Sequence, residues 1–259
     1  MSDQIAVERQ GLTATVTLNQ PSKLNAVSLA MWDRLGQVFS ELDQDLDLRC
    51  IILKGAGERA FSVGADISEF EEHRSSAAKA KAYGKRTHGA MEAIVNCRHP
   101  VIARIDGLCV GGGLEIAATA DLRICSERSR FGIPIKRLGL VVAYAELEPL
   151  VQLIGPSNAK EILFEGQIFG ADRAYAMGLV NRVVSDDGLD HEVTAAAARI
   201  AEGAPLVARW HKTFTRRLLS PEPLTAKDHD ESYDCFATED FEIGYKAFLA
   251  KSAPVFRGR

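Results

Sequence analysis

Two glycine-bearing turns carry the residue types best suited to catalysis: residues 61–66 (FSVGAD) and residues 110–115 (VGGGLE). Each turn follows an apolar stretch typical of a strand and precedes a stretch typical of a helix, where the first backbone N–H groups lack partners within the helix. Two such groups aimed at one oxygen stabilise negative charge that develops on it. Glu115 ends the second turn and is predicted to act as a general acid or base beside that oxygen.

These turns must be positioned by the elements around them. Strand-like runs, including residues 50–53 and 101–105, alternate with helix-like segments in the first half of the chain. This alternation predicts an α/β core whose sheet is wound in repeated units. Beyond residue 145 the pattern is nearly all helical, with separate helices predicted at 150–154 and 158–164 and a short strand at 179–184. We divide the chain into a core of residues 1–199 and a helical C-terminal region of residues 200–259.

Composition and charge narrow the class of protein. The chain has 259 residues, is 46% hydrophobic and 25% charged, and carries a net charge of −4. These values are typical of a globular protein and make a nucleic-acid partner an unfavoured interpretation. No apolar run has the length of a membrane span, and the polar start does not resemble a secretion signal. The five cysteines form no CxxC pair or Cys/His cluster, so we expect reduced thiols, no metal and a cytoplasmic location.

Other catalytic motifs do not match. The triple glycine has neither the Gly-Lys-Ser/Thr of a phosphate-binding loop nor the spacing of a dinucleotide-binding turn. Ser62 is not part of a Gly-x-Ser-x-Gly elbow, and the six histidines are scattered along the chain. The two turns therefore remain the strongest indication of chemistry.

The two turns, in this order and separated by the segment 100–103 (PVIA), resemble the enoyl-CoA hydratase/isomerase (crotonase) family. Further matching segments extend the resemblance over essentially the whole chain: 21–26, 120–121, 131–134, 178–180 and 248–251. The resemblance implies a spiral of ββα units with a helical C-terminal region that takes part in oligomerisation or covers the site. It implies homotrimers, often paired as dimers of trimers, and an acyl-CoA thioester substrate. No cofactor is implied beyond the coenzyme A of that substrate.

The resemblance also assigns roles to individual residues. The thioester oxygen would lie between the backbone N–H groups of Ala65 and Gly112, with Glu115 as the retained acid or base. Coenzyme A would contact the backbone of residues 65–67 (Ala65, Asp66 and Ile67) and the side chain of Lys23. Phe248 and Lys251 match the position from which this family reaches into the coenzyme A site of a neighbouring subunit.

One position departs from the family. Resembling hydratases carry a second glutamate after the turn at 131–134, where this chain has Ile135. An isoleucine neither accepts nor donates a proton, so the usual pair of glutamates is incomplete. We predict a hydratase-type lyase and keep three explanations open: Glu115 acts alone with water, Tyr144 or Glu146 supplies the missing acid in the acyl pocket beside Ile135, or the reaction needs no second acid.

The third explanation covers decarboxylation and thioester hydrolysis, which also pass through a stabilised enolate or oxyanion. A different class of function is a catalytically weak relative that binds coenzyme A or RNA. A basic helical face supports RNA binding, whereas the net negative charge and the retained Glu115 oppose it; the residues of this face are Arg209, Lys212, Arg216 and Arg217.

Overall fold

The computed structural model describes residues 3–259. Its strands are β1 (Ile5–Gln10), β2 (Thr13–Leu18), β3 (Cys50–Gly55), β4 (Ala60–Ser62), β5 (Val101–Ile105), β6 (Leu108–Val110), β7 (Leu122–Ser126), β8 (Arg130–Gly132), β9 (Phe169–Gly170) and β10 (Arg182–Val184). Its α-helices are α1 (Leu29–Asp43), α2 (Phe70–Arg74), α3 (Ala77–Asn96), α4 (Gly112–Thr119), α5 (Tyr144–Glu165), α6 (Ala171–Ala176), α7 (Leu189–Glu202), α8 (Pro205–Leu218), α9 (Ala226–Glu231) and α10 (Glu239–Leu249). Short 3-10 helices lie at Pro21–Lys23, Ile67–Glu69, Ile135–Leu138, Asp186–Gly188 and Asp234–Ala237.

From β3 to β8, successive strands alternate between two sheets. One sheet has the order β1-β2-β3-β5-β7-β10, and the other has the order β4-β6-β8-β9. The pairs β3–β4, β5–β6 and β7–β8 therefore each place their first strand in the larger sheet and their second in the smaller one. Helices follow each pair, which confirms the predicted spiral of ββα units.

The core explains why the strands read as apolar runs. Both faces of β5 are buried, and every residue of Val101–Ile105 is inaccessible or nearly so. A parallel strand covered on both faces is expected to be mostly apolar, and the one charged residue of β5, Arg104, is paired with Asp106 and Asp190. Helix α3 is different, because its buried residues Tyr83, Thr87, Ala90, Met91 and Ile94 form one face and its other residues are solvated. The polar stretch 67–95 is thus a surface layer over the core.

Two boundaries differ from the sequence prediction. The helices predicted at 150–154 and 158–164 are two parts of α5, which is kinked at Gly155 (φ 72°, ψ 164°) before Pro156. A residue before proline avoids the α conformation, and glycine adopts positive φ at little cost. The strand predicted at 179–184 begins only at Arg182, because Leu179 and Val180 instead close the end of α6 through bonds to the carbonyl of Ala174.

The basic face of α8 contacts the rest of the chain. Arg209 donates to the carbonyls of Leu46 and Leu48, and Lys212 Nζ lies 2.8 Å from the Asp121 carboxylate. Arg216 donates a hydrogen bond to the Asn96 side chain, and Arg217 forms ion pairs with two acidic residues of α9. These cations therefore hold the C-terminal helices together and against the core. Within residues 3–259, no helix combines the length and apolar character needed to cross a bilayer.

Candidate active site

The smaller sheet brings the three sequence turns to one edge. Strands β4, β6 and β8 are neighbours and run parallel, so their carboxyl ends lie side by side. The segments that leave these ends are the first glycine turn, the second glycine turn and the 131–135 turn. A juxtaposition that the sequence leaves unspecified is thus fixed by strand order.

Positive-φ glycines bring the first two turns into contact. Gly64 has φ 90° and Gly111 has φ 55°, conformations that residues with a side chain rarely adopt. A Cβ atom on Gly64 would lie 2.6 Å from the Gly112 nitrogen, and one on Gly112 would lie 3.4 Å from the Ala65 nitrogen. A side chain at position 64 would therefore block this approach of the two backbones.

The N–H groups of Ala65 and Gly112 stand out from their neighbours. Asp66 N–H donates to the Val27 carbonyl and Gly111 N–H to the Gly132 carbonyl. In the described part of the chain, by contrast, neither the Ala65 N–H nor the Gly112 N–H donates to a protein group. Two adjacent free N–H donors of this kind are an arrangement that can stabilise an oxyanion.

A buried polar network supports the first turn. Ser62 Oγ donates to the Asn25 carbonyl (2.7 Å) and accepts from Gly64 N–H (3.0 Å). Asn25 Nδ2 in turn donates to the carbonyls of Ala60 and Ala56. These two supporting residues were not predicted from the sequence, although the segment 21–26 that contains Asn25 was part of the family resemblance. Their polar side chains inside apolar surroundings were the available signal.

A cavity of about 300 Å³ opens beside the two N–H groups. Its lining is largely apolar, and four charged side chains interrupt it: Arg74, Glu115, Arg137 and Glu146. A concave, mostly apolar site with a few converging polar groups is the usual form of a small-molecule site.

Glu115 is the buried carboxyl of this cavity. It lies in the first turn of α4 and is 9% exposed. Its pKa is raised from 4.5 to about 8, chiefly by burial and also by the nearby charge of Glu146, while the charge of Arg74 acts in the opposite direction. The carboxyl is therefore held largely protonated near neutral pH, as a general acid requires.

Glu146 lines the same cavity from the first turn of α5. Its Oε2 accepts from the backbone N–H of Ala143 at 2.9 Å, and its Oε1 lies 3.3 Å from Nε2 of His88 on α3. Both oxygens are thus oriented by contacts from two separate elements. The side chain is 19% exposed, and its charge raises the pKa of Glu115.

The structure unites some of the predicted pocket residues and separates others. Ile135 and Glu146 both line the cavity. Tyr144 does not: it is the first residue of α5, it is 91% exposed, and it lies outside the cavity lining. The helix rotation decides this difference, because positions 144 and 146 are about 200° apart on an α-helix.

The residues assigned to coenzyme A fall in two places. Ala65 and Ile67 line the cavity, and Lys23 Nζ binds Asp66 Oδ2 at 2.6 Å just outside it. This ion pair lowers the pKa of the Asp66 carboxyl, with help from Ser68. Phe248 is 84% exposed near the end of α10, and Lys251 follows that helix with φ 54°; neither touches the cavity of its own chain. Across residues 3–259, no three His, Cys, Asp or Glu side chains are grouped as metal ligands would be.

Comparisons with known proteins agree with this architecture. A family model described as enoyl-CoA hydratase/isomerase matches residues 8–259. The chain is 33% identical to a short-chain-enoyl-CoA hydratase from Clostridium acetobutylicum over 251 residues, which are 96% of this chain and 95% of that protein. It is 31% identical to a carnitinyl-CoA dehydratase from Escherichia coli O157:H7 over 271 residues, with both chains fully covered.

A solved structure gives the same result. The crystal structure of an enoyl-CoA hydratase/carnithine racemase from Magnetospirillum magneticum matches with a TM-score of 0.98 and 46% identity, covering 100% of this chain and 97% of that one. The chain belongs to the enoyl-CoA hydratase/isomerase family, as its two turns and their order predict.

Proposed function

We propose that this chain hydrates a 2-enoyl-CoA thioester, and dehydrates the 3-hydroxyacyl product in reverse. The thioester oxygen binds between the N–H groups of Ala65 and Gly112, and Glu115 and Glu146 form the acid–base pair. The observation that carries the proposal is that Glu146 lines the same cavity as Glu115 and Ile135, so that a second carboxyl is present although Ile135 provides none. The names of the hydratase and dehydratase relatives support the same reaction type.

The two carboxyls divide the proton transfers of hydration. Glu146, held by Ala143 N–H and His88, takes a proton from water as the oxygen of that water attacks C3. The electrons of the double bond pass onto the thioester oxygen, where the two N–H groups stabilise the resulting enolate. Protonated Glu115 then delivers a proton to C2. One water is added overall, and the proton on Glu146 returns to Glu115 before the next cycle.

The coenzyme A portion leads out of the cavity past residues 65–67. We place its phosphates near Lys23, whose side chain is 53% exposed although its ammonium group is bound to Asp66. We also propose that Phe248 and Lys251 complete this part of the site in an adjacent subunit of a trimer. Their exposure in the single chain supports that assignment, because an aromatic ring left in solvent is stabilised by a covering partner.

Three matched substitutions test the reaction: Glu115→Gln, Glu146→Gln and, as a control, Glu148→Gln. Glu148 is exposed on the same helix as Glu146 and lies outside the cavity. We expect each of the first two to lower kcat for crotonyl-CoA by about 10²–10⁴-fold, the usual range for loss of a general acid or base, and the control to retain it. Absorbance of the enoyl thioester gives the rate, and product mass shows the gain of one water.

The competing reactions give different products. Free coenzyme A from a panel of thioesters would indicate hydrolysis, and loss of carbon dioxide from malonyl-type thioesters would indicate decarboxylation. Either product, with no hydration of any enoyl-CoA, would overturn the proposal. Full activity of Glu146→Gln would remove Glu146 from the mechanism and leave Glu115 acting alone.

A further inference from the structure

Arg74 is a half-buried cation in the wall of the cavity. It ends α2 and lines the same cavity as Glu115 and Glu146. We infer that Arg74 binds a carboxylate at the far end of the acyl group, so that the preferred substrate is a carboxyacyl thioester of coenzyme A. This inference rests on the proposed function, because it takes the thioester to be bound at Ala65 and Gly112.

Two aromatic rings hold the guanidinium group. Its Cζ lies 4.6 Å from the centre of the Phe70 ring and 5.0 Å from the centre of the Tyr83 ring. Both rings also line the cavity. Contacts of this kind orient a planar guanidinium by cation–π attraction and leave its N–H groups free to bind a carboxylate with two bonds.

Arg74 lacks the partners that other half-buried or buried arginines have. Arg104 binds Asp190 and Asp106, and Arg123 donates to the carbonyls of Leu179 and Ala120. Arg74 has no ion pair or hydrogen bond with any residue of the described chain, and its Nε is buried without a partner. A buried donor left unsatisfied is unfavourable and is uncommon in folded proteins. A ligand carboxylate would satisfy it.

The contacts also indicate which charge the acyl group carries. Aromatic rings in a pocket are a usual site for a substrate cation. Here Arg74 already lies over Phe70 and Tyr83, and its positive charge would repel a second cation at those rings. An anionic group is attracted to the same position, and an uncharged group leaves the guanidinium unpaired.

A competing role for Arg74 is to act only through Glu115, whose pKa its charge lowers. The two roles give different results. An arginine acting through Glu115 changes the turnover of all acyl groups alike. An arginine that binds the acyl carboxylate changes affinity according to the charge of the acyl group, even for saturated thioesters that are not turned over.

Binding of three saturated thioesters to the full chain tests this inference by isothermal titration calorimetry. The probes are glutaryl-CoA, its uncharged isostere 5-methylhexanoyl-CoA, and 4-(trimethylammonio)butanoyl-CoA. We expect glutaryl-CoA to bind more tightly than the isostere by about 30-fold or more, the factor that corresponds to about 2 kcal/mol for a buried charge pair. The trimethylammonio compound should bind the most weakly.

Variants locate the effect. Arg74→Met should abolish the preference for glutaryl-CoA, and Arg74→Lys should retain part of it. Arg86→Met is the matched control, because Arg86 lies outside the cavity and pairs with Asp33; it should keep the full preference. If Arg74→Met does not fold, as judged by circular dichroism, the Arg74→Lys variant and the wild-type preference decide the matter.

Equal or weaker binding of glutaryl-CoA by the wild type would overturn the inference. So would a preference that survives Arg74→Met and is lost in Arg137→Met, because Arg137 is the exposed cation at the cavity mouth. These measurements need no turnover. A failure of the hydration reaction is therefore seen separately, in the absence of product from crotonyl-CoA.

Discussion

The inner wall of the cavity, made by residues 63–65 and 111–115, is enclosed by the core, whereas the outer wall, residues 135–146, faces solvent. Leu114 and Glu115 are buried on the inner side, while Leu138 and Val141 are exposed on the outer side. The inner wall presents two backbone N–H groups, held by two positive-φ glycines, and the buried carboxyl of Glu115. The outer wall works through side chains. Under the proposed function, the inner wall that binds the thioester tolerates little change, whereas the outer wall that supplies Glu146 can vary.

The largest difference between the two walls is expected from a pair of glycine substitutions, one on each wall. Gly64→Ala forces a side chain into a positive φ and places its Cβ 2.6 Å from the Gly112 nitrogen. Displacement of that N–H should lower kcat by about 10²–10³-fold, the usual cost of one oxyanion donor. Gly139→Ala on the outer wall also has positive φ but meets no atom within 4 Å, so only local strain is expected. Steady-state kinetics of both variants would refute the contrast if the losses were equal.

The burial of Glu115 predicts a pH-dependent stability. Its folded-state pKa of about 8 lies above the unfolded value of 4.5, so its contribution is complete below pH 4.5 and is lost as the pH rises through about 8. Relative to Glu115→Gln, the wild type should lose about 1 kcal/mol of unfolding free energy per pH unit in this window. Urea unfolding of both proteins at pH 5, 6, 7 and 8 measures the difference. If the unfolding free energies of the two proteins change with pH in the same way, burial does not raise the pKa of Glu115.

A rescue experiment tests whether the carboxyl of Glu146 takes the role that a glutamate at position 135 has in resembling hydratases. Ile135→Glu in the Glu146→Gln background places a carboxyl at the position that resembling hydratases use. We expect hydration of crotonyl-CoA to rise about tenfold over Glu146→Gln alone, as a partial recovery of general acid–base catalysis. Ile135→Gln in the same background controls for polarity without charge. No gain from the glutamate would mean that the outer wall does not keep hydratase geometry.

The smallest expected effect concerns His88, a positioning residue for Glu146. His88→Leu removes the contact at 3.3 Å and should lower kcat about threefold to tenfold, in keeping with the net value of one hydrogen bond. His88→Gln, which keeps a donor, should recover most of the loss. His73→Leu, outside the cavity lining, is the control. Equal losses in the leucine and glutamine variants would argue against a donor role.

The inner wall is more predictable from the sequence than the outer wall. Glycine turns and Glu115 are local signals, because positive φ and a catalytic carboxyl depend on residue type at one position. Their approach to each other followed from the family resemblance. The network of Ser62 and Asn25 was missed, since single buried polar residues have no periodic pattern.

The outer wall was only partly predictable. Tyr144 and Glu146 were both considered for the pocket, and the structure places only Glu146 there. Side chains two positions apart point in different directions once a helix forms. Where that helix begins decides which of the two faces the cavity. The contact of His88 with Glu146 joins α3 to α5 across 58 positions, a distance over which sequence spacing carries no information.

The sequence by itself determined the family, the ββα spiral, the paired turns and the absence of a carboxyl at Ile135. Tertiary structure alone decided that Glu146 enters the cavity, that Tyr144 does not, and that Arg74 lies unpaired against two rings. The physical reason is that backbone conformation is encoded locally by glycine and by apolar periodicity. The charge in a cavity depends instead on which side chains the packing of separate helices brings together.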